Sequence, residues 1–104
     1  MEKHEYILSK VKRRVTSIVP DARIILYGSR ARGDEREDSD WDFLVLLDHG
    51  TYSWKLENLI LASIYELELE TGEIITSFVT THEHAWKFQL AQFYQQINKE
   101  GIIL

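Results

Sequence analysis

Polar and apolar positions follow different rhythms along the chain. Ile7, Val11, Val15 and Ile18 recur at spacings of four, four and three. That predicts a helix over about 3–18 with one apolar stripe. Pro20 and Asp21 stop it. The run Arg23–Tyr27 is short, apolar and closed by Gly28, which predicts a strand. Ser29–Arg32 predicts one helical turn ended by Gly33, and Asp34–Ser39 a charged loop. Trp41–Leu47 is apolar at nearly every position. Phe43, Val45 and Leu47 fall on one face, Leu44 and Leu46 on the other, as in a central strand buried on both sides.

Beyond Asp48, His49 and Gly50 a second helix is expected over about 53–70. Leu56, Leu59, Ile60, Ile64 and Leu67 would point inward, and Gly72 would end it. Ile74–Thr80 is rich in β-branched and aromatic residues and predicts a third strand. Thr80 and Glu83 have capping-box spacing and open a last helix to about Lys99. Its stripe would be Trp86, Leu90, Phe93 and Ile97. Ile102–Leu104, after Gly101, would pack back as an extended tail. The order helix, strand, strand, helix, strand, helix predicts an α/β (α+β) fold. Its small mixed sheet of three to four strands would be flanked by helices.

Length fits a single domain spanning 1–104. With no cysteine, disulfides and cysteine-based zinc sites are excluded. The polar start Met1–Glu5 is unlike a signal peptide, and no apolar run nears the roughly 20 residues of a membrane span. The expectation is a soluble, cytoplasmic protein with no membrane partner. A net charge of −5 argues against a grip on long nucleic acid. Positive charge is nevertheless concentrated: Arg30, Arg32 and Arg36 share one loop region, and Lys10, Lys12, Arg13 and Arg14 read as a solvated helix face. An acidic domain with one basic loop suits a small phosphate ligand.

Two features carry the chemistry. A glycine directly after a strand permits a sharp turn, and a following helical turn aims free N–H groups at the same spot. Gly28 and Ser29 occupy those positions, with Arg30 and Arg32 placed to add charge-assisted hydrogen bonds to phosphate. Asp40 and Asp42 are two apart at the start of a strand, so both carboxylates face one spot. They raise each other's pKa unless a cation such as Mg²⁺ sits between them. Each feature alone also fits something ordinary: a strand-ending glycine, or a pair of solvated loop aspartates. Their neighbouring placement favours joint work, because phosphoryl and nucleotidyl transfer need phosphate donors and a metal together.

Gly28-Ser29-Arg30-Ala31-Arg32-Gly33 followed by Ser39-Asp40-Trp41-Asp42 resembles the signature of the DNA polymerase β-like nucleotidyltransferase superfamily, and within it the minimal nucleotidyltransferase family. The resemblance implies that Gly28 and Ser29 contact a triphosphate, with Arg30 and Arg32 beside the phosphates and Ser39 shaping the turn that sets Asp40. Asp40 and Asp42 would be the catalytic carboxylates and hold Mg²⁺. An acceptor hydroxyl would attack the α-phosphate and release pyrophosphate. Stand-alone members of the family pair with a HEPN-domain protein in toxin–antitoxin modules. That implies an antitoxin that moves AMP from ATP to its partner, in a small domain open to oligomerisation. The sequence departs from the pattern at one place. The superfamily's third carboxylate lies on the next core strand, where this chain offers Thr76 or Ser77, with Glu70 and Glu73 just before the strand. A module that binds nucleotide and neutralises its partner by contact alone is therefore the alternative. Nucleic-acid processing is a third reading, disfavoured by the acidic balance.

Other candidates are weaker. His82 and His84 lack the i, i+4 spacing of a helical zinc pair and read as helix-start residues. No Gly-Lys-Ser/Thr P-loop is present. Trp41 reads as core, and Trp54 and Trp86 as core or interface residues.

Overall fold

The computed structural model describes residues 2–87 and 91–104. In chain order they form α1 (Lys3–Ile18), β1 (Arg23–Tyr27), α2 (Ser29–Arg32), β2 (Trp41–Leu47), α3 (Trp54–Thr71), β3 (Ile75–Thr81), α4 (His82–Lys87), α5 (Ala91–Glu100) and β4 (Ile102–Ile103). The strands make one mixed sheet in the order β3-β2-β1-β4. β1 pairs antiparallel with both β2 and β4, whereas β2 and β3 run parallel. A parallel pair needs a crossover, and α3 supplies it.

Two cores explain the doubly apolar β2. On one face Trp41, Phe43, Val45 and Leu47 join Ile24 and Leu26 under α1 and α3, which contribute Ile7, Val11, Val15, Ile60, Ile64 and Leu67. On the other face Leu44, Leu46 and Ile25 meet Ala85, Tyr94 and Ile97 of α4 and α5. This is the expected mixed sheet between helices.

Local chemistry sets the boundaries. Ser53 caps α3 by accepting from the Leu56 amide at 3.1 Å, and Gly72 ends it at φ +75°. The cap before α4 is Thr81, the last residue of β3, not Thr80: its hydroxyl accepts from the His84 amide at 3.1 Å. Leu59, expected inward, is 47% exposed. One residue is about 100° of helix, and Leu56, Ile60, Ile64 and Leu67 already fill the face on the sheet. The expected last helix is described as two segments, α4 and α5. Ile97 is buried as expected, but Tyr94 rather than Phe93 is its buried neighbour. Leu90 and the Trp86 side chain lie outside the described residues. The tail packs back as β4, with Ile103 opposite Ile25, and a Cβ on Gly101 would lie 2.5 Å from the Ile97 carbonyl.

The basic cluster on α1 is more than a solvated face. Arg14 donates to the Ser63 carbonyl at 3.2 Å, to Glu66 at 3.2 Å and to Glu70 at 2.6 Å, clamping α1 to α3.

A second cluster anchors the start of β2. The Arg30 guanidinium lies 4.1 Å from the centre of the buried Trp41 ring. The Trp41 indole N–H donates to Glu73 at 2.9 Å, and Glu73 pairs with Lys3 at 3.2 Å and Arg30 at 3.8 Å. Burial opposes the charge on Glu73. Hydrogen bonds from Trp41 and Lys3 and the charges of Lys3 and Arg30 outweigh it and hold the carboxyl below its ordinary range. A carboxyl depressed in the folded state stabilises above its unfolded pKa and loses that contribution as pH falls through the folded value. Glu73→Gln should therefore melt below the parent at pH 7, by about 1 kcal/mol or less for such partly exposed pairs. The difference should close in acid; thermal melts by circular dichroism across pH 2–7 read it.

Candidate active site

β1 delivers the chain to Gly28, which adopts φ +76° and ψ −158°. Only glycine adopts that region readily. The next residues wind into α2, whose first closing bonds run from the Ala31 and Arg32 amides to the Gly28 carbonyl, both at 3.1 Å. The Ser29 and Arg30 amides precede those bonds, at the turn's open end. Gly33, at φ +84°, closes the turn by donating to the Ser29 carbonyl at 3.0 Å.

β2 returns alongside, and the antiparallel register sets Asp42 opposite Tyr27. The two halves of the site then meet. A Cβ built on Gly28 would lie 2.6 Å from an Asp42 carboxylate oxygen. The missing side chain of Gly28 is the space that Asp42 occupies. Asp40 lies just ahead of β2 and is exposed. Burial pushes the Asp42 carboxyl up, the charge of Asp40 pushes it further, and Arg32 opposes both. The pair is short of positive charge.

The seven expected site residues divide into two groups. Gly28, Asp42, Asp40 and Arg32 come together, with Ser29 directly after Gly28 in the turn. Arg32 is half exposed and also pairs with Asp34 at 3.5 Å and Glu100 of α5 at 3.8 Å. Arg30 departs from its expected place beside phosphate. It is buried, and its guanidinium donates to the Ser39 carbonyl at 2.9 Å and the Glu37 carbonyl at 3.2 Å while stacked on Trp41. Trp41 alternates with Asp42 along β2 and belongs to the opposite face, so Arg30 follows it away from the carboxylates. Ser39 shapes the turn: its hydroxyl accepts from the Arg36 amide at 2.8 Å, and its own amide donates to the Arg36 carbonyl at 3.1 Å.

The parallel register puts Thr76 level with Asp42 on β3, and Thr76 is exposed. This is where a third carboxylate would stand. Glu73 and Glu70 are engaged elsewhere, with Trp41 and Arg14. Among the described residues no group of three or more His, Cys, Asp or Glu side chains could hold a metal. Two carboxylates remain. Such a set suits Mg²⁺ shared with substrate phosphates rather than an all-protein cage.

Sequence reading passed over Tyr27. Its phenol is pushed up by burial and then by the charge of Asp42, and Phe93 of α5 meets it edge-on at 5.5 Å. The usable signal was its place as the last residue of β1, opposite the carboxylate strand. A separate cleft of about 800 Å³ opens where β2 and β3 end, lined by His49, Tyr52, Glu57, Phe78, Thr81 and His84 among others. It lies at the opposite end of the strands from Asp42.

A family model described as "Nucleotidyltransferase domain" matches residues 8–100. The chain is 37% identical over 57 residues to a protein of Aphanizomenon flos-aquae named protein adenylyltransferase MntA, covering 54% of this chain and 38% of that one. It is also 37% identical over 67 residues to a protein of Methanocaldococcus jannaschii provisionally named a protein adenylyltransferase, covering 62% of this chain and 68% of that one. The matched segments thus span about two fifths of one relative and two thirds of the other.

Two outcomes follow from the geometry. Gly28→Ala should lose about 1–3 kcal/mol to backbone strain alone, with a further loss from the collision with Asp42. Adding Asp42→Ala should remove only that second part, a coupling visible in denaturant titrations of the double-mutant cycle. Asp42→Asn should melt above the parent at neutral pH. A carboxyl raised in the folded state favours folding below its unfolded pKa and loses that contribution as pH rises through the folded value. The advantage of Asp42→Asn should accordingly fade in acid, as read by melts at pH 3 and pH 7.

Proposed function

Because the chain belongs to the nucleotidyltransferase domain family, we propose that it transfers a nucleoside monophosphate, AMP from ATP, to a hydroxyl on a partner protein. The observation that carries the reading is the contact between Gly28 and Asp42. A turn with open amides and a carboxylate strand converge on one spot, as nucleotidyl transfer requires. The names of both relatives, protein adenylyltransferases, support AMP and a protein acceptor.

In this reading the Ser29 and Arg30 amides and the Ser29 hydroxyl hold the non-reacting phosphates, and Arg32 adds charge from the side. Asp40 and Asp42 would hold Mg²⁺, which when bound would supply positive charge beside the phosphates. The site's surplus negative charge supports that assignment. The acceptor oxygen forms a bond to the α-phosphorus as the bond to the bridging oxygen breaks, and pyrophosphate leaves. Thr76 offers no base for the acceptor's proton, so the partner or solvent takes it. A partner-modifying domain of this kind fits the antitoxin of a pair with a HEPN-type toxin.

The alternative, a module that binds nucleotide and silences its partner by contact, is favoured by the neutral side chain at Thr76. The two separate cleanly. With α-labelled ATP, Mg²⁺ and the partner, the transfer reading expects label on the partner. It also expects a loss of at least about a hundredfold in rate with Asp42→Ala, the scale of removing one electrostatic element of a transfer site. Full labelling by Asp42→Ala would sink the transfer reading. No labelling, with intact protection by Asp40→Ala/Asp42→Ala, would favour the contact reading.

A further inference from the structure

The sheet has two edges of unlike kind. β4 forms one, with two residues. The other is β3, whose seven residues pair with β2 alone, in an unbroken register without a bulge. Ile75–Thr81 contains no charged residue and no proline. Charges, prolines and bulges are the devices that usually blunt a strand edge, and β3 has none of them.

The ladder fixes which backbone groups face outward. The Trp41 amide donates to the Ile74 carbonyl at 2.9 Å, so Ile74 turns toward β2. Backbone polar groups alternate sides along a strand, and Ile75, Ser77 and Val79 therefore turn away from β2. The Ile75 amide accordingly donates to a Glu68 carboxylate oxygen at 3.2 Å instead of to a strand. The outward amides and carbonyls of Ser77 and Val79 have no partner among the described residues.

This edge opens into the cleft of about 800 Å³ at the end of β3. Phe78, Val79, Thr80 and Thr81 all line it. Successive strand residues point to opposite faces, so four in a row reach one cleft only where it wraps around the strand's edge. Among the described residues the lining has no Lys or Arg, and its carboxylates are Glu57 and Glu83. The uncharged Tyr52 hydroxyl donates to one oxygen of Glu57, and His49 meets one oxygen of Glu83 at 3.4 Å. The second oxygen of each is open. We propose that the β3 edge and this cleft form a docking site for an extended segment of a partner protein, which adds to the sheet as a further strand and lays an arginine or lysine side chain in the cleft.

In this mode main-chain hydrogen bonds give affinity and the pocket gives selectivity. Ser77 and Val79 offer the main-chain groups. Glu57 and Glu83 offer the countercharge, and the exposed rings of Tyr52 and Phe78 offer faces to a cation. A second copy of this chain fits worse: it carries a net charge of −5 and would bring its own acidic rim. From Thr76, level with Asp42, to Thr81 at the cleft, β3 rises about 16 Å at 3.3 Å per residue. A docked segment therefore runs from the cleft toward the candidate active site. The inference does not rest on the transfer reading, because docking needs only the edge and the cleft.

The test uses the isotopically labelled full chain and the acetylated, amidated peptide Thr-Val-Arg-Val-Thr, followed by nuclear magnetic resonance. The Ser77 and Val79 amide signals should shift with a dissociation constant on the order of 100 µM, and their solvent exchange should slow about tenfold at saturation. The same peptide methylated on every backbone nitrogen should bind about tenfold more weakly or worse, and so should the peptide carrying Glu in place of Arg. Glu57→Gln/Glu83→Gln should weaken the Arg peptide about fivefold with an unchanged melting curve. No shift at millimolar peptide overturns the proposal. So does equal binding by the methylated or the Glu-bearing peptide, or indifference to Glu57→Gln/Glu83→Gln. Protection of Ser77 and Val79 that grows with the chain's own concentration, without peptide, assigns the edge to a second copy and overturns it as well.

Discussion

The buried contact between Arg30 and Trp41 governs the rest of the site. It joins a helical turn, a long polar loop and the first residue of a central strand. The guanidinium rests on the indole face and ties down the Ser39 and Glu37 carbonyls. Charged groups are seldom this buried without compensation, and here it comes from a ring face, loop carbonyls and the nearby Glu73 carboxylate. Asp40 follows directly after the tethered Ser39, and Asp42 directly after the buried Trp41. The carboxylates are thus positioned from behind, by residues on the far side of the strand.

This arrangement separates support from chemistry by one step of strand alternation. Odd positions of β2 enter the core with α1 and α3, and Asp42 begins the opposite row. Lys3, near the N-terminus, and Glu73, just before β3, both bear on the loop that precedes the carboxylates. Substitutions far from Asp42 in the chain can therefore move it without touching any ligand.

Much of this was legible in the sequence, and the reasons differ by element. β1, α2 and β2 have firm punctuation at Gly28 and Gly33 and an unbroken apolar run, so their bounds emerge to the residue. The nearness of Gly28 and Asp42 was legible because a glycine ends β1 and the carboxylate opens the strand that pairs with it. Arg30 was not. Its charge suggested phosphate, and only the register of the loop against Trp41 reveals that its donors serve the backbone. Leu59 was misplaced because, one residue before Ile60, it turns about 100° off the face that meets the sheet, and an apolar neighbour in sequence does not reveal that. Thr80 lost its capping role because β3 runs one residue further, through Thr81 opposite Leu47, and Thr81 is the residue directly before α4.

The close fit of Gly28 against Asp42 also bears on how the sheet assembles. A slip of one residue between β1 and β2 would reverse every side chain of β2. Trp41 would turn to solvent, and Asp42 would enter the core beneath α1. An unpaired carboxylate there is far costlier than a displaced leucine. The acidic row at the mouth of β2 thus acts as a check on strand alignment. A chain that places these carboxylates outward has already paired its central strands in the correct frame.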